Sequence, residues 1–224
     1  MESKGEINMK YGLVGATGKL GKEVVTLFAE NNHELVFTFD LQGEWIQAEP
    51  DILIDCSLPE AFENVLSFAK NFKIPLIVAT TGLNEKNINH LKEFAKIKPV
   101  VQSYNFSVGI QILLQLTKIC HQKVPDWDVE ISETHHRFKR DKPSGTAKMI
   151  QEIFGDKKIN TTSLRLGNVP GDHTVNFAGL GEVISIQHRA LSRRTFAEGI
   201  LMSSEFALMK NKGFYSFGDI VFNK

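Results

Sequence analysis

A glycine turn set between an apolar run and a helical pattern constrains this chain more than any other feature. Residues 11–15 (YGLVG) form a short apolar run, and Leu20, Val24, Leu27 and Phe28 follow at helical spacing. Between them, Gly15-Ala16-Thr17-Gly18-Lys19-Leu20-Gly21 places glycines at positions one, four and seven. The pattern predicts strand, tight turn and helix. Glycines at such a turn let the backbone approach a pyrophosphate, whose charge is stabilised by free N–H groups at the helix start. The spacing is GxxGxxG rather than GxGxxG, and a tight turn that binds nothing is the competing reading.

The same grammar recurs downstream. Strands are predicted over 35–39 (ending at Asp40), 51–55, 75–79 and 99–102, with helices over 61–71 and 87–95. Continuous apolar strands alternating with helices imply a parallel sheet covered on both faces, an α/β, Rossmann-like domain. Asp40 lies nineteen residues past Gly21, where a carboxylate can accept both ribose hydroxyls of a dinucleotide. With Leu41 next to it, no arginine adjoins to receive a 2′-phosphate, so NADH is expected to bind at least as well as NADPH. Two loops, Ala79-Thr80-Thr81-Gly82 and Ser103-Tyr104-Asn105-Phe106, fall at carboxyl ends of strands of this sheet, where ligands of open α/β sheets bind. They offer hydroxyl and amide groups, and Phe106 an apolar face, to a nicotinamide ring. Each by itself reads more often as an ordinary surface loop than as a site.

After Phe106 the pattern changes. A helix is predicted over 109–121, and Trp127, Val129 and Ile131 then alternate with Asp128, Glu130 and Ser132, which predicts a strand over 127–133 with one buried face. Three more strands, over 162–166, 173–178 and 182–189, are separated by Gly/Pro turns. These make a second, α+β domain with a mostly one-sided sheet. Residues 195–209 read as a helix that packs back on the first domain. The domains are therefore expected to be 1–106, completed by 193–224, and 107–192.

Composition narrows the partners. Lysine plus arginine equals aspartate plus glutamate at 26 each, so no overall basic field draws the chain to nucleic acid or anionic membrane. Any anionic ligand must be met by local charge. No stretch reaches the about eighteen apolar residues of a membrane span, and the polar residues 1–8 lack the apolar core of a secretion signal. Those eight residues, preceding Met9, read as a dispensable extension. Cys56 and Cys120 have no CxxC spacing, which fits a reducing cytoplasm and no disulfide framework.

Local charge is concentrated in Glu133–Met149, ETHHRFKRDKPSGTAKM. His135, His136 and Lys139 follow the one-sided strand, and Ser144 is a candidate N-cap for a helix whose Ala147, Ile150, Ile153 and Phe154 share a face. The amides of Gly145 and Thr146 would then sit at the positive helix end, where a carboxylate can dock. Histidine trades a proton near neutral pH, and lysine donates one or holds an anion. Surface decoration and a solvated basic loop are the bland alternatives. Metal binding is disfavoured, because adjacent histidines point apart and no HxxxH or cysteine completes a shell.

The residues 133–139 (ETHHRFK), with Asp141, Pro143, Ser144, Gly145, Thr146 and Ala147, resemble the signature of the dihydrodipicolinate (4-hydroxy-tetrahydrodipicolinate) reductases of the diaminopimelate route to lysine. The likeness runs through the glycine turn, residues 55–60 (DCSLPE), 80–82, 105–109, 171–175 (GDHTV) and 188–193 (HRALSR) to Thr195-Phe196-Ala197 and Gly199, covering the chain from Met9 onward. It implies hydride transfer from NADH or NADPH to an unsaturated nitrogen ring carrying two carboxylates, with loss of water from the hydroxylated precursor. It further implies a homotetramer built through the second domain's sheet. By the resemblance, His135 and Lys139 are the proton-donating pair, and His136 with Ser144, Gly145 and Thr146 holds the dicarboxylate. Cofactor contacts fall on Gly15, Ala16, Thr17, Gly18, Lys19, Leu20, Asp40, Ala79, Thr80, Thr81, Ser103, Tyr104, Asn105 and Phe106. Ala79, where the family has glycine, Leu20, Lys142 and the pair Ser103-Tyr104 depart from the family pattern and bear on cofactor preference and rate.

Three rival readings stand against this one. A short-chain dehydrogenase needs Tyr-x-x-x-Lys, but Tyr11, Tyr104 and Tyr215 are followed four residues later by Gly15, Val108 and Asp219. A semialdehyde dehydrogenase needs a nucleophilic cysteine, whereas Cys120 lies in an apolar helix as a small core residue. A regulator that senses the dinucleotide without chemistry has no need of paired proton donors.

Overall fold

The computed structural model describes residues 8–40 and 43–222. Residues 1–7 and Leu41, on which two of the readings above fall, lie outside it. In chain order the elements are β1 (Lys10–Val14), α1 (Lys19–Glu30), β2 (Glu34–Asp40), β3 (Gly43–Ile46), β4 (Ile52–Asp55), α2 (Phe62–Phe72), β5 (Leu76–Val78), α3 (Glu85–Phe94) and β6 (Pro99–Gln102). There follow α4 (Val108–Lys123), β7 (Asp128–His135), α5 (Gly145–Glu152), β8 (Asn160–Arg165), β9 (Asp172–Ala178) and β10 (Val183–Arg189), and then α6 (Arg194–Leu208), β11 (Gly213–Tyr215) and α7 (Phe217–Phe222). The chain divides into two compact units, one from the described residues of Met1–Phe106 and Phe196–Lys224, the other Ser107–Thr195.

The first unit holds a seven-stranded sheet in the order β11-β6-β5-β4-β1-β2-β3. Six strands run parallel; β3 alone pairs antiparallel, with β2. Neighbouring strand residues go to opposite faces, and both faces are covered. Tyr11, Leu13, Ile52, Ile54 and Val101 pack with Val24, Phe28, Ile200 and Phe217, while Leu53, Leu76, Val78 and Val100 pack with Phe62, Val65, Leu91 and Phe94. Burial on both sides is why these strands read as continuous apolar runs. The edge strands β3 and β11 were not anticipated. They are four and three residues long, and β3 is exposed throughout, with Trp45 47% and Ile46 50% accessible, so neither carries a burial pattern to read.

The second unit holds a four-stranded mixed sheet, β10-β9-β7-β8, in which β7 is parallel to β8 and antiparallel to β9. One face is apolar in its middle: Ile131, Val175 and Phe177 pack with Leu113 of α4 and with Ala147, Ile150 and Phe154 on or next to α5. Ser107 caps α4 by accepting from the Ile110 amide, and its hydroxyl meets His188 Nε2 at 3.1 Å. Gly109 leaves the space that this ring fills, since a methyl there would lie 2.6 Å from His188 Cδ2.

One expectation needs correction. β7 continues to His135 rather than stopping at Glu133, so its buried face runs Ile131, Glu133, His135. Period-2 reading ended where the apolar residues ended, but the buried face did not. We predict that Phe177→Ala, which opens a cavity at a fully buried position, destabilises this unit by about 3–5 kcal/mol in urea unfolding. An unchanged transition would contradict the assigned core.

Candidate active site

The glycine turn is built by close approach. Gly15 adopts φ +84°, and a methyl on it would lie 2.7 Å from the Cys56 carbonyl oxygen. Its amide donates to Phe39 O, and Gly18 N donates back to Gly15 O, both at 3.0 Å. Gly21 rests directly on the Gly15 carbonyl. Gly18 takes the N-cap position of α1 with no side-chain cap, so the first-turn amides have no capping side chain competing for them. That is a cradle any Cβ would fill, with donors suited to phosphate oxygens. The residues present therefore fit a dinucleotide's pyrophosphate.

The other predicted cofactor residues gather along the same edge of the sheet, at the carboxyl ends of β2, β5 and β6. Asp40 is partly exposed at the end of β2, Thr80 is buried and Thr81 exposed after β5, and Ala79 packs against the core beside β4. Beyond β6, the Ser103 hydroxyl donates to Asn105 O (2.8 Å) and accepts from Asn105 N (3.2 Å), and Tyr104 is half-buried. Phe106 is 2% exposed and its ring lies 5.3 Å from that of Phe217, which places it in the core of the first unit. Sequence reasoning gave no role to the end of β4, whose Asp55 is 1% exposed and accepts from the amide and hydroxyl of Ser57. Burial pushes the Asp55 carboxyl up, against the hydrogen bonds from Ser57.

In the second unit a polar cluster closes the end of the sheet. Glu133, 1% exposed, receives Arg165 bidentately: Nη1 to Oε2 and Nη2 to Oε1, each at 2.9 Å. The same carboxylate takes His135 Nδ1 in a short contact and the Ser144 amide at 3.3 Å. Burial would raise the Glu133 carboxyl, but the bonds from His135, Arg165 and Ser163 outweigh it and hold it far below the usual carboxylate range. Arg165 also donates to the carbonyls of Lys139 and Asp141. It thereby ties the loop that carries the predicted lysine to the strand that carries the predicted histidine. Lys139 Nζ meets Asp141 Oδ1 at 2.8 Å, and that pairing, outweighing burial, lowers the Asp141 carboxyl.

His173 lies opposite Glu133 in the β7–β9 register, with its ring centroid 5.1 Å from that of His135. Its Nε2 meets Ser144 Oγ at 3.2 Å. Burial, and secondly the charge of His135, depress its pKa to about 3, so it stays neutral. Ser144 caps α5 by accepting from the Ala147 amide and is 1% exposed; Thr146 is buried and Gly145 half-buried. The Ser144 hydroxyl is thus engaged within the cluster, while His136 is half-buried on the chain just past β7. Glu133, Arg165 and His173 were not singled out from the sequence. Arg165 stands 32 residues from Glu133, and only the β7–β8 register, pairing His135 with Arg165, joins them. Among the described residues no helix is long and apolar enough to cross a membrane.

Known proteins resemble this chain over nearly its whole length. Residues 9–106 match the family model for the N-terminus of dihydrodipicolinate reductase, and residues 109–221 match that for its C-terminus. The 4-hydroxy-tetrahydrodipicolinate reductase of Thermosipho africanus is 43% identical over 214 residues, which cover 95% of this chain and 98% of that protein. The enzyme of the same name from Caldanaerobacter subterraneus is 35% identical over 92% of this chain and 96% of its own. A dipicolinate-bound dihydrodipicolinate reductase from Paenisporosarcina superimposes with a TM-score of 0.75 at 21% identity, covering 96% of this chain and all of that one.

A neutral buried His173 makes stability fall with acid. Between the unfolded value of 6.5 and the native value of about 3, the unfolded chain binds a proton that the native chain does not. Native stability should therefore drop on going from pH 7 to 4.5, by up to roughly 1.4 kcal/mol per pH unit from this group. Below the ordinary glutamate value of 4.5, Glu133 adds a loss of the same sign. Urea unfolding between pH 7 and 5 should show a smaller slope for His173→Gln than for the parent, and equal slopes would contradict the assignment.

Proposed function

The chain belongs to the dihydrodipicolinate reductase family and is an NAD(P)H-dependent oxidoreductase of the diaminopimelate route to lysine; from that premise we propose how its residues divide the reaction. The substrate is 4-hydroxy-tetrahydrodipicolinate, reduced with loss of water to tetrahydrodipicolinate. NADH or NADPH supplies a hydride when bound. On the chain's side, Gly15 to Leu20 hold the pyrophosphate at the uncapped start of α1, and Asp40 takes the ribose hydroxyls. Thr80, Thr81 and Ser103 to Phe106 shape the nicotinamide end, with Ala79 beside them. With a carboxylate at Asp40, NADH is expected to bind at least as well as NADPH.

In the second unit, His135 and Lys139 deliver the proton that quenches electron density arriving with the hydride, and His136, Gly145 and Thr146 hold the carboxylates. Ser144 contributes by capping α5 and setting the amides behind it. The observation that carries this reading is one buried cluster in which Glu133, His135, Arg165 and the Lys139 loop are joined by hydrogen bonds. A dianionic substrate needs donors where water is excluded, and the amides at the start of α5 and the ammonium of Lys139 supply them.

The tetramer is supported by exposed apolar side chains on and around the second sheet: Leu164 of β8, Val183 of β10 and Leu180 between β9 and β10. The free thiols Cys56 and Cys120 suit a reducing cytoplasm.

A coupled assay that generates the substrate in place and follows NADH absorbance tests the reading. Steady oxidation is expected, with His135→Gln or Lys139→Ala about a hundred- to ten-thousand-fold slower and NADH binding nearly intact. NADH binding without oxidation would instead mark a dinucleotide sensor, and a parental rate in either variant would remove that residue from the proton donors. Titration with NADPH should show no tighter binding than with NADH; tighter NADPH binding counts against the role given to Asp40.

A further inference from the structure

We propose that Glu133, clamped by Arg165, is the positioning residue that makes His135 a one-sided proton donor working through Nε2. This rests on the role given to His135 above. Glu133 is an acceptor held ionised by a bidentate guanidinium, and it meets His135 at Nδ1. A ring nitrogen bonded to a carboxylate carries its hydrogen, so Nδ1–H is fixed in both charge states of the ring. Only Nε2 is left to gain and lose a proton.

The surroundings of Nε2 agree. A methyl at position 171 would stand 3.1 Å from it, so the backbone of Gly171 passes its edge without covering it. Gly171 is held there by its carbonyl, which accepts from Ala190 N at 3.0 Å. The charged and titratable groups around the ring are Glu133 on its own strand, Arg165 on β8, His173 on β9, and Lys139 with Asp141 on the loop after β7. His173 is neutral, and Lys139 is paired with Asp141, which leaves the Glu133 carboxylate as the anion in direct contact with the ring.

The proton inventory balances. The hydride brings two electrons and one hydrogen to a ring carbon of the substrate, and the nicotinamide is oxidised. The conjugated system then takes one proton from Nε2–H, which leaves His135 neutral with its hydrogen on Nδ1. Solvent returns the proton to Nε2. The carboxylate of Glu133 stays ionised throughout, stabilising the imidazolium before transfer and the Nδ1–H tautomer after it.

The test compares wild type, Glu133→Gln, Glu133→Asp, His135→Gln and the double variant Glu133→Gln/His135→Gln in the NADH-oxidation assay across pH. Glu133→Gln should lower kcat at least about tenfold, and no more than the hundred- to ten-thousand-fold expected on removing His135. It should also shift to lower pH the limb on which activity falls as pH rises, since removing the carboxylate disfavours the imidazolium. Glu133→Asp, which keeps the charge and serves if the glutamine variant does not fold, should return the limb towards its parental position. Adding Glu133→Gln to His135→Gln should cost little more than His135→Gln alone. Imidazole 15N spectra should show His135 as the Nδ1–H tautomer at high pH in wild type and lose that preference in Glu133→Gln. An unmoved limb, an undiminished effect in the His135→Gln background or an unchanged tautomer overturns the proposal. A parental rate for His135→Gln would instead refute the role of His135 itself.

Discussion

A carboxylate sealed from water must be paired on all sides or be lost, and the second unit is arranged around that requirement at Glu133. Arg165 meets it with both arms, which fixes β8 alongside β7 in the one register that sets the guanidinium two places along from the carboxylate. The Ser144 amide meets it from the start of α5, so the helix that carries Gly145 and Thr146 begins where Glu133 allows. From β9, His173 stands opposite and stays neutral, adding no second charge beside His135. A buried ion pair of this kind returns little net stability, because desolvation offsets most of its attraction. What it does return is geometry: a histidine held at one nitrogen and a lysine loop tied down by its carbonyls.

The first unit reaches its function by the opposite means. There the site is made by absent side chains, since Gly15, Gly18 and Gly21 let the turn fold onto the carbonyls of Cys56 and Gly15 and leave α1 uncapped. Amides at a helix start without a side-chain cap can turn to phosphate oxygens, which is why such a turn suits a pyrophosphate. In the proposed division of the reaction, one unit presents backbone donors to the dinucleotide, and the other presents side-chain acids to the dicarboxylate.

The first of these was plain in the sequence. Glycines at 15, 18 and 21 between an apolar run and an amphipathic helix are local features, and the strands β1, β4, β5 and β6 announce themselves because both of their faces are buried. His135, Lys139 and Ser144 were visible as residue types in one short segment, and the resemblance to the reductases gave them roles. The network that supports them was not visible, because Glu133 and His135 occupy buried strand positions that a search for apolar residues passes over. Arg165 and His173 are brought in by long-range strand pairing alone. Phe106, read as an apolar face for the nicotinamide ring, is 2% exposed and packs on Phe217 in the core of the first unit.

The central claim is that the second unit holds the anion-binding, proton-donating half of the reaction. Crystals of the protein soaked with pyridine-2,6-dicarboxylate test it most directly. The account predicts carboxylates on the Gly145 and Thr146 amides and on His136, with the ring beside His135 Nε2. A dicarboxylate ordered elsewhere, with the Glu133–His135–Arg165 cluster untouched, would contradict it.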